Sequence, residues 1–101
     1  MPRAPASPAK PLDWSPPARR AYLETIALIA AEDPHSAKAF AERIDQALAR
    51  ISAFPSIGTP LARRGERRFP IAGTGHVVNY KVLRRRIRIQ RWYRARRLAE
   101  S

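Results

Sequence analysis

A chain of 101 residues with a formal net charge of +12 has room for one domain and one small, marginal hydrophobic core. The absence of cysteine excludes disulfides and thiolate metal sites and fits a reducing compartment. The longest apolar run, Ile26 to Ala31, is far too short to span a bilayer, and the basic N-terminus lacks the apolar stretch of a secretory signal, so a cytoplasmic location with no membrane contact is expected.

Residues 1–11 are rich in Pro, Ala and Ser. They bury too little apolar surface to offset their ordering entropy, which predicts a flexible N-terminal tail. Leu12-Asp13-Trp14 reads as a short extended segment. Ser15 is a good N-cap and Pro16-Pro17 sits where a first helical turn tolerates proline. A first helix is therefore predicted from about Pro17 to Ala31, with Tyr22, Ile26, Ile29 and Ala30 as its apolar stripe. Asp33 caps a second helix and Pro34 takes its first position. That helix has the cleaner period: Ala37, Phe40, Ile44, Ala47, Ile51 and Phe54 follow i, i+3 and i+4 spacing. Lys38, Glu42, Arg43, Asp45 and Arg50 form its polar face, and Pro55 stops it. The connection is short, so the two helices should form an antiparallel hairpin.

Beyond Pro55 the pattern changes to the alternation of strands, over Arg67 to Ala72, His76 to Leu83 and Ile87 to Arg94. Gly73-Thr74-Gly75 turns between the first two, and Leu83-Arg84-Arg85-Arg86 between the last two without any glycine. Strict alternation in the last strand puts Ile87 and Ile89 on one face, toward the helices. It puts Arg88, Gln90, Trp92 and Arg94 on the other, wet and cationic. Trp92 and Tyr93 are adjacent and so lie on opposite faces, one in the core and the other exposed. The predicted fold class is α+β: a short N-terminal strand, then an antiparallel helical hairpin packed on an antiparallel sheet that ends in a three-stranded meander. The domain spans residues 12–97, with residues 98–101 as a C-terminal tail.

Charge is divided unevenly. From Leu61 to Ser101 there are 13 Lys and Arg against two acids, whereas Met1 to Pro60 carries a net of only +1. A neutral half is thus joined to a cationic one, which seeks an anion: nucleic acid, a nucleic-acid machine or an acidic protein. The paucity of carboxylates in the basic half argues against a divalent-metal nuclease site. No Gly-rich phosphate loop, zinc spacing or nucleophile elbow is present, so neither a metal nor another cofactor is expected. Composition alone would also allow a plain basic nucleic-acid-binding module.

Several local patterns occur in an order that resembles the RelE/ParE superfamily of toxins from bacterial type II toxin–antitoxin modules. Leu12-Asp13-Trp14-Ser15-Pro16 is similar to the family's first strand and helix start, and Asp33-Pro34 with Ala37 to its inter-helix junction. Pro55-Ser56-Ile57-Gly58-Thr59-Pro60 is similar to the Pro-x-Ile-Gly segment that follows the second helix in ParE-like members. Gly65 to Phe69, His76 to Val82 and Arg91 to Arg97 stand where the family has its later strands. Arg94 replaces the histidine that many members carry near the end. Thr74-Gly75-His76-Val77 replaces the Gly-Asp-Tyr-Arg approach common in the RelE-like branch. The ParE-like branch is therefore favoured.

The resemblance implies a toxin that poisons DNA gyrase and is not itself an enzyme, held in check by a cognate acidic antitoxin. It places target contacts on Arg88, Arg91, Trp92, Arg94, Arg96 and Arg97, and antitoxin contacts on Tyr22, Ile29, Phe40 and Arg43 of the hairpin. A RelE-like alternative would be a ribosome-dependent mRNA endonuclease, with Arg67, Arg91, Tyr93 and Arg94 as catalytic candidates. His76 beside its glycine turn is expected to be a satisfied or solvated histidine, and Tyr80 to pack in the core.

Overall fold

In the computed structural model, which describes residues 9–95, strand β1 (Leu12–Trp14) leads into helices α1 (Pro16–Glu32) and α2 (Pro34–Ala53). A 3-10 turn (Pro55–Ile57) follows, then strands β2 (Thr59–Pro60), β3 (Glu66–Ile71), β4 (His76–Val82) and β5 (Ile87–Arg94). The helix starts follow from local chemistry. Ser15 Oγ accepts the Ala18 N–H at 3.2 Å, and Asp33 accepts the His35 N–H at 3.0 Å and the Ser36 hydroxyl at 2.7 Å. Each helix has proline in its first turn, where no N–H is missed. Phe54 departs from the apolar stripe expected of it. It is the C-cap of α2, outside helical geometry, and stands 59% exposed.

The strand order is β1-β5-β4-β3-β2. The β3–β4–β5 meander is antiparallel as expected, but β1 joins β5 in parallel, so the sheet is mixed. Its short β2 comes from the segment after Pro55 and pairs with Arg67 and Arg68. The parallel pairing reaches across most of the chain: Ile87 N–H donates to the Pro11 carbonyl at 2.9 Å, and Ser15 N–H to the Ile89 carbonyl at 2.8 Å. Lys10 is tied in as well, its N–H donating to the Ser52 carbonyl at 3.2 Å and its Nζ to the Leu83 carbonyl at 2.9 Å. The expected flexible tail therefore does not extend to Lys10 and Pro11. Its remainder up to residue 8 and the expected C-terminal tail lie outside the described residues.

Both helices pack on one face of the sheet. Ala18, Ile44, Ala47 and Ile51 meet Ile71, Val78, Tyr80, Ile87, Ile89 and Trp92 there. The register between β4 and β5 breaks once. Asn79 pairs with Arg91, but the next residue, Tyr80, pairs with Ile89, which leaves Gln90 as the extra residue of a β-bulge. A bulge shifts the side-chain parity of all that follows it. Trp92 therefore returns to the helix-facing side with Ile87 and Ile89, instead of sharing the wet face as strict alternation predicts. It is 6% exposed.

Candidate functional site

On the helix side, Trp92 is the hub of an aromatic cluster. Its indole stacks on the His76 ring at 4.9 Å and 14°, meets Tyr22 edge-on at 4.9 Å and donates Nε1–H to Thr25 Oγ1 at 3.0 Å. Trp14 stacks on Tyr22 at 5.0 Å, and Phe40 lies edge-on to His76 at 5.5 Å. His76 is buried, and its Nδ1 lies 3.1 Å from the Thr74 carbonyl, so that nitrogen carries the proton and donates. Desolvation lowers its pKa below 6.5, the Thr74 carbonyl opposes this, and the Arg94 charge adds to it.

Beside this cluster lies an open cleft of about 430 Å³. Thr25, Leu28 and Ile29 of α1 and Phe40 of α2 line it, with Gly73 and Thr74 of the β3–β4 turn, His76 at the start of β4 and Arg94. A second cleft, of about 390 Å³, runs between α2 and β3 and is lined by Arg43, Arg50 and Phe69 to Ala72 among others. Arg43 separates the two: Nη1 points to the Ala72 carbonyl at 3.4 Å and lies so close to Gly73 that a Cβ there would collide with it. The Arg43 tip could swing away from such a Cβ, so it is the backbone angle of Gly73, φ +79, that calls for glycine.

The opposite sheet face carries no described helix. Cross-strand partners define its rows: Asp13, Arg88, Lys81 and Glu66; then Arg91, Asn79, Arg68 and Thr59; then Tyr93, Val77 and Pro70. Asp13 is held by Arg88 at 3.0 Å and by Arg86 at 3.3 Å, and the hydrogen bond from Arg88 holds its carboxyl below the ordinary 3.8. Tyr93 Oη donates to Asn79 Oδ1 at 3.0 Å, and the Arg91 guanidinium sits 4.9 Å over the Tyr93 ring.

This geometry sorts the residues singled out from the sequence. Arg67 and Arg94 lie opposite Tyr80 and His76 on the helix-facing side, whereas Arg91 and Tyr93 lie on the other face. Arg67 is already occupied: Nη1 donates to the Ser56 carbonyl at 3.0 Å and the Gly58 carbonyl at 2.6 Å. The four catalytic candidates therefore form no common site. Trp92, expected at a target surface, is in the core, because the bulge turns it inward. Arg88 faces outward but is paired with Asp13. Of the antitoxin candidates, Ile29 and Phe40 line the first cleft and Arg43 the second, while Tyr22 packs against the core. Arg96 and Arg97 lie outside the described residues. Leu28, 71% exposed on the cleft rim, was missed. Its signal was the apolar run Ile26 to Ala31, which wraps around α1 further than one buried stripe needs.

Among the described residues no group of three or more His, Cys, Asp or Glu could hold a metal ion, and no helix is long and apolar enough to cross a membrane. A helical hairpin on one face of a mixed sheet with a C-terminal meander is a fold with known relatives. A chain of the structure described as the chromosomal ParDE TA system from P. aeruginosa superposes with a TM-score of 0.71 at 20% identity, over 89% of this chain and 100% of that one. No curated protein matches the sequence. The family model for the ParE toxin of the type II toxin-antitoxin system, parDE, matches residues 12–98. The chain belongs to the ParE toxin family.

Proposed function

We propose that this toxin acts in the cytoplasm by inhibiting DNA gyrase, and that a cognate acidic antitoxin neutralises it by occupying the hairpin clefts. Family membership supports the reading, and the observation that carries it is the scatter of the catalytic candidates. Acid–base cleavage of RNA needs a proton-transfer group and a phosphate-stabilising cation within reach of one phosphate. Here Tyr93 and Arg91 are separated from Arg94 by the thickness of the sheet, and Arg67 is tied to backbone carbonyls. A protein of this design works by binding.

The antitoxin reading follows from the chemistry of the clefts. Leu28, Ile29 and Phe40 offer apolar walls, with Arg94 and Arg43 at their borders. An amphipathic segment that brings aliphatic side chains and carboxylates together fits this arrangement, and a net charge of +12 steers an acidic partner toward it. Gyrase is assigned to the end of β5, where Arg91 and Arg94 lead into Arg96 and Arg97.

The test is induction without antitoxin, followed by labelled thymidine and amino-acid incorporation over the first minutes. An early stop in DNA synthesis is expected, with purified toxin altering gyrase supercoiling or gyrase–DNA cleavage. Unchanged gyrase activity at saturating toxin would remove the gyrase assignment, and an early stop in protein synthesis with cut transcripts would replace it by RNA cleavage.

A further inference from the structure

We propose that the helix-free face of the sheet binds the phosphate backbone of duplex DNA directly, through Arg68, Arg91 and Lys81. This contact shares Arg91 with the gyrase assignment but is measured without gyrase.

Three observations lead there. First, the face has a surplus of cations that its own acids do not balance. The described ion pairs are those of Asp13 with Arg86 and Arg88, and the remaining acid of the face, Glu66, stands across from Lys81. Lys81 forms no ion pair with it among the described residues, and Arg68 and Arg91 flank Asn79 in one row across three strands. Secondly, that row is built. Strands lie about 4.8 Å apart, so the two arginines start from backbones about 10 Å from each other. Arg91 is held over the Tyr93 ring, and Tyr93 is itself fixed by its hydrogen bond to Asn79. Thirdly, every described helix packs on the other side, which leaves Arg91 exposed and Arg68 and Lys81 half-buried on this face.

The Arg91–Tyr93 stack also selects the kind of nucleic acid. Proteins that grip single strands present free aromatic faces on which bases stack. Here, among the described residues, the aromatic ring of the face is Tyr93, and the Arg91 guanidinium lies over it. What remains is a set of point charges and an amide, which suits phosphate oxygens and carries no base readout. A duplex presents a phosphate charge about every 1.7 Å along its axis, so such a row finds partners at any sequence.

The experiment uses the purified full chain and a labelled 20-base-pair duplex, with anisotropy read from 50 to 200 mM NaCl. With three to four phosphate contacts, affinity should fall about 40- to 150-fold over that range. Arg68→Ala/Arg91→Ala should bind at least about tenfold more weakly and lower the log–log salt slope by about 2. Arg68→Lys/Arg91→Lys, which keeps the charges, should recover most of the affinity. Arg19→Ala/Arg20→Ala removes equal charge from exposed positions on α1 and should stay within about threefold of the parent.

Equal losses in the two alanine pairs would reduce the effect to net charge and overturn the proposal. So would absence of binding at 50 mM salt. Tighter binding of a single strand of the same length would overturn the duplex assignment. Loss of antitoxin affinity in Arg68→Ala/Arg91→Ala with DNA binding intact would give the face to an acidic protein instead.

Discussion

The Tyr80 hydroxyl and the Gly58 backbone hold the segment after α2 against the sheet. Gly58 N–H donates to Tyr80 Oη at 2.9 Å, and the hydroxyl donates to the Pro55 carbonyl at 2.7 Å. Tyr80 is fully buried, so removing its oxygen strands a donor and an acceptor. Tyr80→Phe should cost about 2 kcal/mol, lowering the thermal midpoint by about 10 °C for a domain of this size. Gly58→Ala should also destabilise, by about 1–3 kcal/mol. Its backbone angle is ordinary, φ −76, but a Cβ would meet Tyr80 Oη at 2.8 Å and the Arg68 carbonyl at 2.9 Å. The double variant should lose less than the sum, since Phe removes the hydroxyl clash, although ring carbon Cε1 and the Arg68 carbonyl still crowd the added Cβ at 2.9 Å.

Arg67 serves the same segment. Its Nη1 donates to both the Ser56 and Gly58 carbonyls, from the end of a side chain one bond longer than that of lysine, whose Nζ falls short of this position. Arg67→Lys should lose about 1.5–3 kcal/mol of stability in denaturant titration. Gyrase inhibition per folded molecule should be unchanged at low temperature. Selective loss of activity in a stable Arg67→Lys would assign this arginine to the target surface.

Trp92 and Tyr93 should respond oppositely to truncation. Trp92→Ala empties the centre of the aromatic cluster and should cost about 3–5 kcal/mol. Tyr93→Phe loses one half-exposed hydrogen bond to Asn79 and should cost about 1 kcal/mol or less. Urea melts of the two variants decide whether the bulge places these side chains as described.

Stability should depend on pH through His76. Its folded-state pKa lies below 6.5 because burial disfavours the imidazolium, so below 6.5 the unfolded chain binds the proton first. The sign follows: stability falls as pH drops through 6.5 toward the lower folded value, and is regained above it. His76→Gln should flatten that slope, read as thermal midpoint against pH. Asp13 adds a separate loss of stability as pH falls through 3.8, since its carboxyl is held lower by Arg88.

Leu28 tests the antitoxin cleft. It is 71% exposed, so Leu28→Glu should change stability by no more than about 0.5 kcal/mol. It should nevertheless weaken antitoxin binding by at least about tenfold in calorimetry, because a carboxylate would replace an apolar wall. Unchanged affinity would move the antitoxin off this cleft.

Local chemistry carries the legible part of this protein. Ser15 and Asp33 cap helices because short polar side chains before proline leave little alternative. The stripe Ala37–Phe40–Ile44–Ala47–Ile51 needs only helical period, and Gly73 and Gly75 need only the positive φ that both adopt. The resemblance to ParE-like toxins was legible for the same reason, since it rests on caps, turns and strand ends in order.

The candidate sites depended on events that no local window contains. Leu12 to Trp14 enter the sheet by pairing with Ile87 to Ile89, a contact that sequence separation hides. One unpaired residue, Gln90, reverses the facing of everything after it, so Trp92 enters the core while Arg91 and Tyr93 turn to solvent. Composition determined that half of the chain would be cationic. Only the tertiary structure decided which arginines are occupied by Asp13 or by backbone carbonyls and which stand free. That choice is made by packing and by cross-strand register, and both depend on residues far apart along the chain.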